Sequence, residues 1–203
     1  LIPFIETLQS QYSVTDKADG DRHFLFCINN NVYLINNNLI VRQIKVVNSE
    51  NFNGTILDGE VIVHNNKQIF LAFDILFDRG IDLRTEVSLT TRYLKLKSII
   101  EGLSDLAYTW VKIETPEKFS IQDQVKYHEA NMDKHYDLLN KEVKSNKEYI
   151  IFLKYFIFPT GGDKSEIYSY AYSMWNKYTL EYKLPYTLDG LIFTPLKQKY
   201  TRN

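Results

Sequence analysis

The sequence predicts an α+β fold, and three observations carry that expectation. Short apolar stretches bounded by asparagine- and glycine-bearing turns fill the first third of the chain, the pattern of a mostly antiparallel sheet. The 12 Phe and 15 Tyr, with the Val and Ile among them, favour a sheet-rich interior. From Leu89 onward, apolar residues recur at three- and four-residue spacing, which is the period of a helix. With 203 residues, 44% hydrophobic and 14% aromatic, the chain can bury a substantial core and is not a disordered tail.

In chain order, strands are expected at Tyr12–Val14 and Phe24–Ile28, where Phe24, Phe26 and Ile28 share one face because strand side chains alternate. Asn29-Asn30-Asn31 turns into a strand at Val32–Ile35, and Asn36-Asn37-Asn38 turns again into Leu39–Val47. Further strands are expected at Thr55–Leu57, Glu60–Val63 and Ile69–Leu76. A helix carrying Leu89, Tyr93, Leu96, Ile100 and Leu103 is capped by Ser88 and ends near Gly102. A second, more polar helix runs from about Ile121 to Lys144, its charged run from Glu129 to Lys147 reading as a solvated face. Tyr149–Phe158 returns to strand, Ser165–Tyr178 to helix and Leu188–Thr194 to strand.

A net charge of -1 gives no global basic field, which weakens a purely RNA-binding reading and leaves an enzymatic one untouched. The single cysteine, Cys27, excludes an intrachain disulfide and a multi-cysteine metal site; it reads as a packed strand residue in a reducing compartment, the cytoplasm. The longest apolar run, Tyr149–Leu153, stops at Lys154, far short of a bilayer span, so no membrane partner is expected. No targeting segment precedes the fold, and the opening at Leu1 reads as a fragment of a longer polypeptide.

Four segments can carry chemistry. In Lys17-Ala18-Asp19-Gly20-Asp21-Arg22, a lysine at a strand end can project its amine into a cleft, and the amine is a nucleophile only when unprotonated; alone, the segment reads first as a solvated turn of mixed charges. In Leu57-Asp58-Gly59-Glu60, the two acids point to one side if the backbone is extended, able to hold a ribose hydroxyl or a metal; an Asp-Gly hairpin turn is the other reading. Phe73 and Asp74 fall on opposite faces of an apolar strand, where an unpaired carboxylate would be expensive and the aromatic face reads first as core. Leu188-Asp189-Gly190-Leu191-Ile192 repeats the design of an acid and glycine leading an apolar strand, and alone it reads as a turn.

Together, in this order, the four segments resemble motifs I, III, IIIa and IV of the covalent nucleotidyltransferases, the superfamily of capping guanylyltransferases and polynucleotide ligases. Asp189-Gly190-Leu191-Ile192 resembles the capping enzymes, because ligases usually carry Glu-Gly there. Tyr12 to Gly20 with Thr55 to Glu60 looks especially like the mRNA capping enzymes of large cytoplasmic DNA viruses. The resemblance implies a ligase-type, ATP-grasp-like nucleotidyltransferase domain over 1–203, with largely antiparallel sheets flanked by helices. It implies that Lys17 attacks the α-phosphate of GTP to give lysyl-N-GMP and pyrophosphate, and that GMP then passes to the 5′-diphosphate end of RNA. Arg22 and Glu60 would hold the ribose hydroxyls, Phe73 would stack on guanine, Lys154 would meet the guanine carbonyl, and Asp189 would bind Mg²⁺ or Mn²⁺. A virus factory or virion would be its setting, with an OB-fold, triphosphatase and methyltransferase domains as partners in the same polypeptide.

The chain departs from the family at motif V. Lys197-Gln198-Lys199 has the letters of its lysine pair but follows motif IV too closely, so motif V and the C-terminal OB-fold are expected beyond this fragment. An ATP-dependent ligase forming lysyl-AMP and a non-catalytic module of the same fold are the competing readings. Pro159–Ser165 fails as a phosphate loop, since Phe158 and Asp163 stand where glycines are required. His128 and His135 read as a solvated pair on one helix face rather than a metal site, and His23 and His64 have no ligand spacing.

Overall fold

Residues 11–48, 50–109, 119–160 and 166–200 are described by a computed structural model. In chain order the elements are β1 (Tyr12–Ala18), β2 (Asp21–Ile28), β3 (Asn31–Asn36), β4 (Val41–Val46), β5 (Thr55–His64), β6 (Lys67–Asp78), β7 (Ile81–Asp82), α1 (Leu89–Ser104), α2 (Ile121–Lys144), β8 (Tyr149–Leu153), β9 (Phe156–Ile157), α3 (Glu166–Asn176) and β10 (Leu188–Pro195). They divide into two compact units. The first comprises Leu1–Asp19, Thr109–Lys141 and Tyr155–Leu196; the second comprises Gly20–Tyr108, Glu142–Lys154 and Lys197–Asn203. The α+β expectation is what the chain has.

In the first unit, β1 is the middle strand of an antiparallel sheet ordered β10-β1-β9. Two hydroxyls of this middle strand bond to carbonyls: Thr15 Oγ1 donates to the Tyr155 carbonyl at 2.6 Å and Ser13 Oγ to the Thr194 carbonyl at 3.3 Å. Val14, Met132, Ile157, Ile167, Tyr170 and Met174 form the core that joins sheet and helices. At its C-terminus α3 widens into a π-helical turn, Lys177–Glu181.

The second unit is an antiparallel sheet ordered β4-β3-β2-β5-β6-β7, with β8 added parallel to β6. α1 buries Leu89, Tyr93, Leu96, Ile100 and Leu103, and Ser88 caps it by accepting the Thr91 N–H at 3.2 Å. It runs past Gly102 to Ser104 and is closed by Asp105 in a left-handed conformation. Cys27 is buried in this sheet, and burial pushes its thiol up to about 12, the packed residue expected. No helix among the described residues is long and apolar enough to cross a membrane.

Two strand expectations are corrected by long-range packing. Thr55–Leu57 and Glu60–Val63 are one continuous strand, β5, so Asp58-Gly59 is no hairpin turn. The glycine is there for closeness: a Cβ on Gly59 would lie 2.5 Å from the Phe70 ring and 2.6 Å from the Leu71 carbonyl oxygen. Gly59→Ala is therefore expected to lower the stability measured by urea unfolding by about 1–3 kcal/mol, since overpacking forces ring and backbone to shift. Tyr149–Phe158 is likewise not one strand. It breaks at Lys154-Tyr155 into β8 of the second unit and β9 of the first.

The solvated histidine pair is also corrected, because both His128 and His135 are buried. The His128 ring lies 4.5 Å from that of Tyr170, edge to face, and among the described residues neither of its nitrogens has a hydrogen-bond partner. Burial lowers its pKa to about 3. The unfolded chain takes up this proton near pH 6.5 and the folded chain does not until about 3, so stability is lost as pH falls through that window, at up to about 1.4 kcal/mol per pH unit. Urea titrations at pH 7 and 5 should show a smaller acid loss in His128→Phe than in the parent; equal losses would remove His128 as the cause. Gly161–Ser165, most of the rejected phosphate loop, lies outside the described residues.

Candidate active site

Lys17 and Asp189 meet across β1 and β10. The ladder passes from Asp16↔Leu191 to Ala18↔Leu188, so Asp189 and Gly190 together oppose the single residue Lys17. Such a β-bulge re-aims the side chains at it. Gly190 takes φ +129°, a conformation that side-chain-bearing residues rarely adopt. The Asp-Gly pair thus builds a bulge within the strand rather than a turn ahead of it. Lys17 is the one exposed residue of β1, and its Nζ donates to the Asp189 carboxylate in an ion pair. Both side chains stay about half open to solvent, at 46% and 58%.

In the second unit, Arg22 faces Glu60 and Phe24 faces Asp58 in the β2–β5 ladder. Opposed residues share a face, and so do alternate ones along a strand, so these four side chains line one side of the sheet. Asp58 is fully buried and takes Arg22 bidentately, Nε to Oδ1 at 3.1 Å and Nη2 to Oδ2 at 2.6 Å. The bond to Asp58 holds the guanidinium above its usual pKa, a permanent cation. Glu60 receives the Nζ of Lys154 in a largely buried ion pair. Lys154 is fixed just beyond β8 by its N–H to the Ala72 carbonyl at 2.8 Å and by the Tyr93 hydroxyl on its own carbonyl at 2.9 Å.

Phe73 sits at a second bulge. The β5–β6 ladder passes from Asp58↔Asp74 to Gly59↔Ala72, leaving Phe73 the extra, half-buried residue. Asp74 is tolerated beside it because Arg92 of α1 binds its carboxylate bidentately, Nε at 2.8 Å and Nη2 at 3.0 Å. The sequence-derived set is therefore gathered as Lys17 with Asp189 in one unit, and as Arg22, Glu60 and Lys154 in the other with Phe73 on a neighbouring strand. Two residues escaped sequence reasoning. Arg92 left a signal, an arginine on the apolar face of a helical period, whereas Tyr200 directly follows Lys197-Gln198-Lys199, the segment set aside at motif V.

Asp189 suits a divalent cation only in company with a nucleotide. Among the described residues no three His, Cys, Asp or Glu cluster to hold a metal, but Mg²⁺ commonly takes one or two carboxylates and completes its shell with water and substrate phosphates.

Residues 4–152 match the family model for the mRNA capping enzyme, catalytic domain. This chain belongs to that family. The capping-enzyme match contains Lys17, Arg22, Glu60 and Phe73 and ends before Lys154 and Asp189. A second comparison reaches further: a "Probable mRNA-capping enzyme" of Acanthamoeba polyphaga mimivirus is 30% identical over 200 residues, 97% of this chain. The chain spans 17% of that relative's length. Among solved structures, a mycobacterial DNA ligase D complexed with ATP and MES overlaps 95% of this chain and 50% of its own at 15% identity and a TM-score of 0.49, a likeness too loose to support a functional statement. The expected kinship with capping enzymes of large DNA viruses is borne out.

Proposed function

We propose that this chain is the nucleotidyltransferase domain of an mRNA guanylyltransferase and that Lys17 carries GMP covalently. The observation that carries the reading is the Lys17–Asp189 pair, an open lysine and carboxylate presented by a glycine-dependent bulge within a capping-enzyme catalytic domain. In the proposed step the Lys17 amine, having lost a proton, attacks the α-phosphorus of GTP; an N–P bond forms and the bond to the leaving pyrophosphate oxygen breaks. The Asp189 carboxylate is in hydrogen-bond reach of the amine and positions it, and the proton leaves to solvent before the attack. A 5′-diphosphate RNA end then takes GMP from the lysine. Arg22 and Glu60 hold the ribose hydroxyls, Phe73 stacks on guanine and Lys154 meets its carbonyl. Mg²⁺ or Mn²⁺ held by Asp189 and the phosphates would neutralise charge as pyrophosphate departs.

Residues 1–203 act in this reading as one nucleotidyltransferase domain of a longer polypeptide, with motif V, an OB-fold, triphosphatase and methyltransferase domains as its other parts. The small share of the mimivirus relative that the chain covers supports this. The kinship with a viral capping enzyme supports a cytoplasmic setting, a virus factory or the virion. The test is incubation of the full-length protein with α-labelled GTP or ATP and Mg²⁺, followed by denaturation. Retained label from GTP supports the guanylyltransferase; label from ATP instead indicates ligase-type lysyl-AMP chemistry. Absence of label from both would leave a binding module.

A further inference from the structure

Beyond β10, residues 197 to 200 do not hang free of the second unit. Lys197 forms an antiparallel bridge with Ser88, the Gln198 N–H donates to the Val87 carbonyl at 2.8 Å, and the Tyr200 N–H to the Arg84 carbonyl at 3.1 Å. Arg92 Nη1 adds a bond to the Gln198 carbonyl at 2.9 Å, and Arg92 is itself locked by Asp74. This short strap thus lies along the segment that leads into α1, and it ends by delivering one side chain to the sheet face that carries Arg22.

That side chain is Tyr200. Its hydroxyl donates to Asp58 Oδ2 at 2.6 Å and accepts from Arg22 Nη2 at 3.0 Å. Arg22, Asp58 and Tyr200 therefore close a ring of hydrogen bonds, in which Asp58 holds the Nε–Nη2 edge of the guanidinium and the phenol fixes its tilt. Burial and the neighbouring carboxylate push the phenol's pKa up, so it remains a protonated donor at neutral pH. A buried carboxylate with three donors on two oxygens is well satisfied; removing one leaves Oδ2 and an Arg22 N–H short of a partner they were built around.

We propose that Tyr200 is a positioning residue for nucleotide recognition, holding the Arg22 guanidinium at the angle from which it meets the ribose hydroxyls. The inference rests on the assignment of Arg22 to the ribose, and it makes the residues just after motif IV part of the sugar pocket. Glu60, opposite Arg22 in the ladder, is paired with Lys154, so each ribose-facing group has its own orienting partner.

The experiment measures lysyl-GMP formation by the full-length protein with GTP and with 2′-deoxy- and 3′-deoxy-GTP, for the parent, Tyr200→Phe, Arg22→Lys and the double variant. Tyr200→Phe is expected to raise KM for GTP about tenfold, the loss of one hydrogen bond to charged groups, with kcat within about twofold. Its discrimination against the deoxy nucleotides should shrink, and adding Tyr200→Phe to Arg22→Lys should change KM little further, because the phenol acts through the arginine. A parent penalty for lost hydroxyls that Tyr200→Phe leaves intact overturns the proposal alone, as does full additivity in the double variant. A parent that is labelled by GTP but indifferent to the ribose hydroxyls sinks the Arg22 assignment, and this inference with it.

Discussion

Lys17→Ala and Lys17→Arg are both expected to abolish retention of GMP after denaturation while leaving the fold intact. Alanine removes the amine; arginine keeps the charge and the reach to Asp189 but cannot lose its proton in a protein, so it offers no nucleophile. Removing a covalent nucleophile costs catalysis on the order of 10⁶-fold, which takes labelling below detection. Stability should hardly move. The Lys17–Asp189 pair is about half exposed, and ion pairs of that kind contribute about 0–1 kcal/mol, so melting temperatures of parent and variants should nearly coincide. That contrast is the useful part: a lysine that served only as a strut would lose stability and activity together. Asp189→Asn makes the companion measurement, retaining a hydrogen-bonding group but not the carboxylate charge, and its loss of labelling should be relieved least at low divalent-metal concentration. Labelled protein recovered from Lys17→Ala would falsify the mechanism outright.

The candidate site could be singled out in the sequence because its residues fall in short segments. Lys17, Arg22, Glu60 and Asp189 were picked out by the resemblance of four ordered segments to the motifs of a family, and α2 has the bounds expected of it, Ile121 and Lys144. What stayed hidden was packing between distant residues. Asp58-Gly59 looks like a hairpin turn until Phe70, eleven positions on, is seen pressed against the glycine. Gly190 looks like part of a turn ahead of a strand until the β1 register shows that it forms one half of a bulge. His128 and His135 carry the letters of a polar helix face, yet the elements packed on α2 bury both. Asp58 and Asp74 are the clearest case: each is an acid in an apolar strand, and only Arg22 from the neighbouring strand and Arg92 from a later helix explain why burial is tolerated. Propensity and alternation are local, whereas the partner of a buried charge is not.

Arg92→Leu is expected to be the most destabilising single substitution outside the apolar core. The Arg92 side chain is 3% exposed and that of Asp74 12%, so solvent cannot take over from the lost partner. Removing one member of a buried ion pair leaves an uncompensated charge and typically costs about 3–5 kcal/mol, a large part of the total stability of a domain this size. The carbonyls of Glu86 and Gln198 lose a donor in the same substitution, which adds to the loss and frees the strap at residues 197 to 200. The double variant Asp74→Leu, Arg92→Leu should recover part of it, because replacing both charges by apolar groups of similar bulk removes the stranded carboxylate. Urea unfolding of the two single variants and the double measures the coupling directly. Hydrogen exchange at the Gln198 and Tyr200 amides should rise in Arg92→Leu even where the rest of the second unit stays protected, since those amides bond to Val87 and Arg84 in the segment that Arg92 helps to fix. An Arg92→Leu protein as stable as its parent would mean that Asp74 finds another partner, and the strap would then owe its position to its backbone bonds alone.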